Sequence, residues 1–246
     1  MHRFFVNQNQ IEDTWIHIQG SDVNHIRNVL RMKPGEEILV SDGNKMEYTC
    51  CIEALDKEEV LAKIVYAQEN GLELPSRIYL FQGLPKGDKM ELIIQKAVEL
   101  GVYEVIPVNT KRCVVKLDSR KEVSKLKRWQ AISESAAKQS KRLVIPQVTG
   151  VKSFEEAVKF AGQMDIRLIP YELAKGMEET REVLEGIRPG QSIGLFIGPE
   201  GGFEDKEIDM AVNNGILPIT LGKRILRTET AGMTLLAILM YLLEKQ

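Results

Sequence analysis

Cysteine is scarce in this 246-residue chain: Cys50, Cys51 and Cys113 are the only three. The count is odd, no C-x-x-C occurs, and an adjacent pair bridges only with strain, so a disulfide framework is excluded and a reducing cytoplasm fits. Histidine is equally scarce, and His2, His17 and His25 form no metal-ligand spacing with the cysteines, so no metal is expected. The longest apolar run, Ala231 to Leu243, falls short of the roughly 20 residues a bilayer span needs. It reads as a core or interface helix, and no membrane partner is expected. The start, MHRFFVNQNQ, turns polar within six residues and lacks the apolar stretch of a signal peptide, which makes the expected location cytoplasmic. Net charge is also nearly absent, at -2, so any affinity for nucleic acid must be local. There are no repeats and no low-complexity segments.

What is present is an ordinary globular composition, 43% apolar and 28% charged, in a chain long enough for one large domain or two modest ones. The pattern changes near Pro75. Before it, period-two runs at Glu37 to Ser41, Met46 to Ala54 and Val60 to Gln68 alternate with turns, and one short helix, Asp22 to Leu30 with Ser21 as its cap, interrupts them. That suggests a small β-barrel or sandwich. After the linker Glu69 to Pro75, strands alternate with helices, as in a parallel α/β sheet. Arg77 to Gln82 is a strand, Asp88 and Glu91 give a capping-box spacing at the next helix start, and Gly101 closes that helix. Val102 to Val108 follows, then a basic helix near Lys121 to Gln139, then a helix opened by the capping box Ser153 to Glu156. Ile166 to Pro170, Ser192 to Ile197 and Leu217 to Leu221 are short apolar strands.

Ligands of parallel sheets sit beyond the carboxyl ends of the strands, so the loops after these three strands hold the candidate site. The loop Gly198-Pro-Glu-Gly-Gly-Phe203 lacks the Lys-Ser/Thr of a P-loop and the spacing of a dinucleotide turn. Glu200 would repel a phosphate at close range. Two readings remain open for this loop: a ligand cradle, or a plain strand-to-helix turn in which glycines supply positive φ and Glu204 or Asp205 caps the helix. The second segment, Leu221-Gly-Lys-Arg-Ile-Leu-Arg-Thr-Glu-Thr-Ala231, also runs from strand end to helix start. Capping accounts for Thr228, Thr230 and Glu229 but leaves Arg224 and Arg227 unexplained.

Together these segments resemble the paired signature of the SPOUT-class RNA methyltransferases, most closely the RsmE family of 16S ribosomal RNA uridine-N3 methyltransferases. The resemblance extends to HRFF (His2 to Phe5), to His25 with Val29-Leu-Arg31, to Gln95-Lys-Ala-Val-Glu-Leu-Gly101 and to Ser135-Ala-Ala-Lys-Gln-Ser-Lys-Arg142, and so covers both halves of the chain. It implies a PUA-like RNA-binding β-barrel over 1–72 and a trefoil-knotted α/β methyltransferase domain with a parallel sheet over 75–246. It also implies S-adenosylmethionine bent among three loops, held by Pro170, Tyr171 and Glu172; by Ile197, Gly198, Glu200, Gly201 and Gly202; and by Leu221, Gly222, Ile225, Leu226 and Thr228. Two subunits would pair as a homodimer through helices near the knot. The substrate implied is 16S ribosomal RNA in the small subunit, methylated at N3 of one uridine of the decoding region.

Charge is unevenly spread in a way that suits RNA. Lys111 to Arg142 holds eleven Lys/Arg against three Asp/Glu, whereas Ser153 to Glu185 holds four against eight. Residues expected at RNA are Arg3, His25, Arg27 and Arg31 on the barrel, with Lys86, Lys138, Arg142 and Arg224; His25 could equally pack locally. For chemistry, Arg227 is expected to orient and stabilise the base, with Glu229 or Glu200 as proton acceptor. Three alternatives remain open: a non-catalytic ribosomal-RNA-binding assembly factor, a methyltransferase acting at another RNA position, and a small-molecule nucleotide enzyme, which would need a phosphate cradle.

Overall fold

The computed structural model describes residues 1–69, 71–171 and 176–244. Contacts divide the chain into two units, Met1–Glu73 with Ala137–Ile145, and Leu74–Ala136 with Pro146–Gln246.

In the first unit, β1 (His2–Phe5), β2 (Ile11–Glu12), β3 (Trp15–Gln19), β4 (Glu37–Ser41), β5 (Met46–Leu55) and β6 (Glu59–Glu69) form one sheet in the order β1-β4-β5-β6-β3-β2. The period-two pattern works as read: Ile38, Val40, Cys50, Ile52, Val60 and Ala62 point inward to one core with Phe4, Ile16 and Ile18. Register shifts between Thr49 and Cys50 and between Ile52 and Ala54 mark bulges, which bend the long β5–β6 ribbon. The expected helix from Asp22 to Leu30 is instead one α-turn, α1 (Ser21–Asn24), followed by a wider π-turn over His25–Val29. Gly20 precedes it and Ser21 makes no cap.

Two ion pairs of buried arginines organise this unit. The Arg3 guanidinium pairs with the Glu47 carboxylate, both side chains less than a tenth exposed, and Gln68 Nε2 donates to Glu47 Oε1 at 3.0 Å. Arg142 pairs with Glu73, whose Oε1 also accepts the Leu143 N–H at 2.9 Å, while the Ser41 hydroxyl donates to the Leu143 carbonyl at 2.7 Å. These bonds make Ala137–Ile145 part of the first unit rather than of an uninterrupted second domain. They also correct the RNA assignment of Arg3 and Arg142: both are buried, and their charge is used on carboxylates that are distant in sequence. Breaking a buried pair leaves the other charge uncompensated, so Arg3→Leu is expected to cost about 3–5 kcal/mol. Chemical denaturation of this unit reads it, and a loss under about 1 kcal/mol, the lower edge of an unpaired-group penalty, would show the pair to be neutral.

The second unit contains β7 (Arg77–Gly83), α2 (Lys89–Glu99), β8 (Glu104–Asn109), most of α3 (Ser119–Gln139), β9 (Gln147–Val148), β10 (Lys152–Ser153), α4 (Phe154–Ala161), β11 (Ile166–Pro170), α5 (Met177–Glu185), β12 (Ser192–Ile197), α6 (Asp205–Asn213), β13 (Leu217–Ile219) and α7 (Thr228–Leu243). Its strands are all parallel, in the order β10-β8-β7-β12-β11-β13, with β9 beside β8. The central strands are covered on both faces, which is why Ile78, Leu80 and Phe81 in β7 and Ile193 to Ile197 in β12 read as nearly continuous apolar runs. Phe81 and Phe196 stack across the β7–β12 pair at 4.3 Å between ring centres.

β12 enters between β7 and β11, and α7 returns over β12 and α2 after the loop at 220–227. This interleaving is the arrangement expected of a chain threaded as a trefoil knot. Helix α4 begins with the expected capping box, the Ser153 hydroxyl accepting from Glu156 N–H at 3.2 Å and Glu156 Oε2 accepting from Ser153 N–H at 2.8 Å. Asp88 precedes α2 but does not cap it with its side chain, which faces Lys125 at 3.8 Å. Helix α7 buries Leu235, Leu236, Leu239 and Leu243 and exposes Tyr241 and Leu242. Among the described residues no helix is long and apolar enough to cross a membrane.

Candidate functional site

Four parallel strands, β7, β11, β12 and β13, end on the same edge of the second unit's sheet, at Gly83, Pro170, Ile197 and Ile219. Beyond their carboxyl ends lies a cleft of about 540 Å³, a size suited to a nucleoside-sized ligand. Pro170 and Tyr171, the loop from Ile197 to Phe203, and the segment from Thr220 to Thr228 line it. Every expected cofactor residue among the described ones is therefore brought to one place; Glu172 lies outside the described residues.

The glycines have specific jobs here. The Gly202 N–H donates to the Pro199 carbonyl at 2.9 Å, closing a tight turn, and Gly202 takes φ +66°. A Cβ on Gly198 would stand 3.1 Å from the Gly202 Cα, and one on Gly201 would stand 3.1 Å from the Arg112 Cβ. Gly83 is tighter still: its Cβ would lie 2.6 Å from Pro199 Cδ and 2.7 Å from Pro199 N. The cleft floor is bare because two strand ends touch backbone to backbone.

Thr228 locks that floor. Its hydroxyl donates to the Gly198 carbonyl at 2.6 Å and accepts from Gln82 Nε2 at 2.8 Å, tying β7, the glycine loop and the start of α7 together. The sequence reads Thr228 as a helix cap, but α7 has no side-chain cap and the hydroxyl is engaged across the sheet instead. The turn reading of the glycine loop also holds in part: Glu204 and Glu207 form a capping box on α6, and Glu207 Oε1 accepts the Lys111 N–H at 3.0 Å.

The rim is cationic. Lys89, Arg112, Lys223, Arg224 and Arg227 all line the cleft. Arg112 donates to the Gly201 carbonyl at 2.9 Å. Among the described residues, Lys223, Arg224 and Arg227 have no ion-pair partner, so their charges are available to an anionic ligand. Ile225, expected as an apolar wall, lines the cleft but is 85% exposed. Lys89 and Arg112 are site residues that sequence reasoning missed.

The two carboxylates differ. Glu200 is 28% exposed and accepts from the Lys86 N–H at 3.1 Å and from Lys89 Nζ at 2.8 Å. Burial raises its proton affinity, but the Lys89 ammonium and the backbone N–H donors outweigh this and hold its carboxyl below the usual range. Its oxygens are already engaged by these donors, which leaves Glu200 less open than Glu229 to accept a proton. Glu229, in the first turn of α7, is 16% exposed; its Oε2 is shielded from solvent, has no hydrogen-bond partner and lies 3.9 Å from Lys89 Nζ.

In the first unit, the expected RNA residues that remain at the surface are His25 and Arg31, exposed, and Arg27, half-buried. Lys138 pairs with Asp22 at 2.8 Å and is partly exposed. In the second unit Lys86 and Arg224 are exposed.

A bare-floored cleft at the strand ends of a parallel sheet, in a chain that begins with a bulged β-unit, defines a class that comparison with known proteins names. Residues 72–240 match the model of an RNA methyltransferase domain and residues 18–65 that of an RNA methyltransferase PUA domain. The chain is similar to Ribosomal RNA small subunit methyltransferase E of Bacillus subtilis, 35% identical over 98% of this chain and 96% of that protein. A crystal structure of Ribosomal RNA small subunit methyltransferase E from Neisseria gonorrhoeae bound to S-adenosyl methionine is 34% identical, covers 98% of each chain and gives a TM-score of 0.85. A putative methyltransferase from Legionella pneumophila in complex with the bound cofactor SAM is 33% identical, with coverage of 97% and 96% and a TM-score of 0.85. The protein described here belongs to the ribosomal RNA small subunit methyltransferase E family.

Proposed function

We propose that this protein transfers the methyl group of S-adenosylmethionine to N3 of a single uridine in 16S ribosomal RNA. The observation that carries the reading is the cleft: glycine-floored, locked by Thr228, rimmed by cations of which Lys223, Arg224 and Arg227 have no ion-pair partner among the described residues, and carrying a carboxylate where a phosphate cradle would have none. That chemistry fits the cofactor. A carboxylate tolerates a sulfonium, bare N–H and C=O groups can read an adenine edge, and the positions where a Cβ would intrude are glycine. The relatives solved with S-adenosyl methionine support the same occupant.

The cofactor supplies an electrophilic methyl group whose transfer turns the sulfonium into a neutral thioether. The chain's own residues must place N3 in line with that methyl and deal with the N3 proton. In the reaction the N3–C bond forms, the S–C bond breaks, and the N3–H electron pair stays on nitrogen while the proton moves to a carboxylate. Arg227, at the rim with no ion-pair partner among the described residues, orients the base and stabilises negative charge on its carbonyl oxygens. Glu229 is the acceptor, because its Oε2 carries no hydrogen bond among the described residues that would use its lone pairs. A general base contributes about 10²–10⁴ in rate, so Glu229→Gln is expected to lower single-turnover methyl transfer by that factor. Glu200→Gln should mainly weaken cofactor binding, and equal rates in Glu229→Gln and wild type would remove Glu229 from the mechanism.

RNA is held by the rim cations and by the exposed basic face of α3, with Lys86 and Arg224 in the second unit and His25, Arg27, Arg31 and Lys138 in the first. The target uridine must leave its stack to reach the cleft. A homodimer belongs to the same proposal, supported by the apolar surface of Leu92, Tyr241 and Leu242 on α2 and α7. The test is transfer of labelled methyl to small subunits, and to bare 16S RNA, from a strain lacking this gene. Label in either supports the enzyme; RNA binding with no label in both would make the protein an assembly factor instead.

A further inference from the structure

The geometry points to Lys89 as a positioning residue for methyl transfer, acting through Glu229. The inference rests on the methyltransferase reading and adds a residue that this reading does not require. Lys89 is the first residue of α2, so its side chain starts at the N-terminal end of a helix, where nearby backbone dipoles favour negative charge rather than its own. Its ammonium nevertheless lines the cleft and stands between two carboxylates from different loops, Glu200 Oε1 at 2.8 Å and Glu229 Oε2 at 3.9 Å.

The two distances do different work. At 2.8 Å the ammonium donates a hydrogen bond to Glu200 and occupies a lone pair. At 3.9 Å it stabilises the charge on Glu229 without donating to it, so the lone pairs of Glu229 stay open. The shielded Oε2 has no hydrogen-bond donor to fix it, so a cation within ion-pair range is what positions that carboxylate. Lys89 is the cation in ion-pair range of Glu229 among the described residues. With it, the Glu229 carboxylate is held in place by charge alone and its Oε2 keeps its lone pairs for the N3 proton; without it, no cation in ion-pair range holds that carboxylate among the described residues. Lys89 does not tether the glycine loop alone, because Glu200 keeps its bond from the Lys86 N–H at 3.1 Å when the ammonium is removed.

The test is single-turnover methyl transfer by Lys89→Met in the wild-type and Glu229→Gln backgrounds, with S-adenosylmethionine affinity measured alongside. Residues acting through one another are non-additive. Lys89→Met is expected to slow transfer by about 10–30-fold in the wild type and by less than about twofold when Glu229 is already Gln. Cofactor affinity should stay within about threefold, and Lys89→Arg should recover most of the rate by restoring the charge. Equal losses in both backgrounds, or a loss of cofactor affinity that parallels the loss of rate, would overturn the role. A wild-type protein that methylates no uridine would instead refute the underlying reading, and the two failures are separable in the same assay.

Discussion

Arg227→Ala is expected to lower methyl transfer by about 10²–10³, the effect of removing one donor aimed at developing negative charge, while S-adenosylmethionine affinity stays within about threefold. The reasoning is local. Arg227 is exposed at the rim, immediately before α7, and its main-chain carbonyl accepts the Ala231 N–H at 2.8 Å. That bond survives truncation of the side chain. The neighbouring Thr228 lock on Gly198 also survives, so the cofactor floor should not move. Arg227→Lys keeps the charge but loses the planar fork, and is expected to recover only part of the rate. Calorimetry with cofactor and a single-turnover assay separate the outcomes; a parallel loss of affinity would make Arg227 a cofactor ligand.

The second large effect is expected at a residue that touches no ligand. Gly83→Ala places a methyl group 2.7 Å from the backbone nitrogen of Pro199, and a proline in a turn cannot step aside without dragging Gly198 with it. Overpacking of this kind costs about 1–3 kcal/mol, and here the strain falls on the cofactor loop. Cofactor affinity is therefore expected to fall by about 5–150-fold, the same energy expressed as a binding ratio. Gly190→Ala is the control. Gly190 has φ +93° with nothing within 4 Å of a Cβ, so its substitution strains only the backbone, at the opposite end of β12 from the loop, and should leave cofactor affinity unchanged. Equal affinity losses at Gly83 and Gly190 would show that the loop senses general destabilisation, not the Gly83–Pro199 contact.

The strands and the glycine turns were legible in the sequence because their causes are local. A strand covered on both faces must be apolar throughout, as β7 and β12 are, and a turn at φ +66° selects glycine whatever surrounds it. What the sequence concealed is partnership over distance. Thr228 looks like a cap because its true acceptor, the Gly198 carbonyl, is 30 residues away in the chain. Arg3 and Arg142 look like RNA contacts because nothing adjacent to them announces Glu47 or Glu73. Lys89 and Arg112 follow β7 and β8 rather than the three strands whose loops carry the signature, and they reach the cleft only because β7 lies between β8 and β12 in the sheet. The choice between Glu200 and Glu229 was likewise closed to spacing, since it depends on which carboxylate the Lys86 N–H and Lys89 have already engaged.

The most direct measurement is the nucleoside made. Small subunits from a strain lacking the gene, incubated with the purified protein and labelled S-adenosylmethionine, would be digested to nucleosides and separated by chromatography with mass detection. The account predicts 3-methyluridine as the one labelled product, absent with Arg227→Ala. Label in 5-methyluridine or in a ribose-methylated nucleoside, or no label at all, would contradict it.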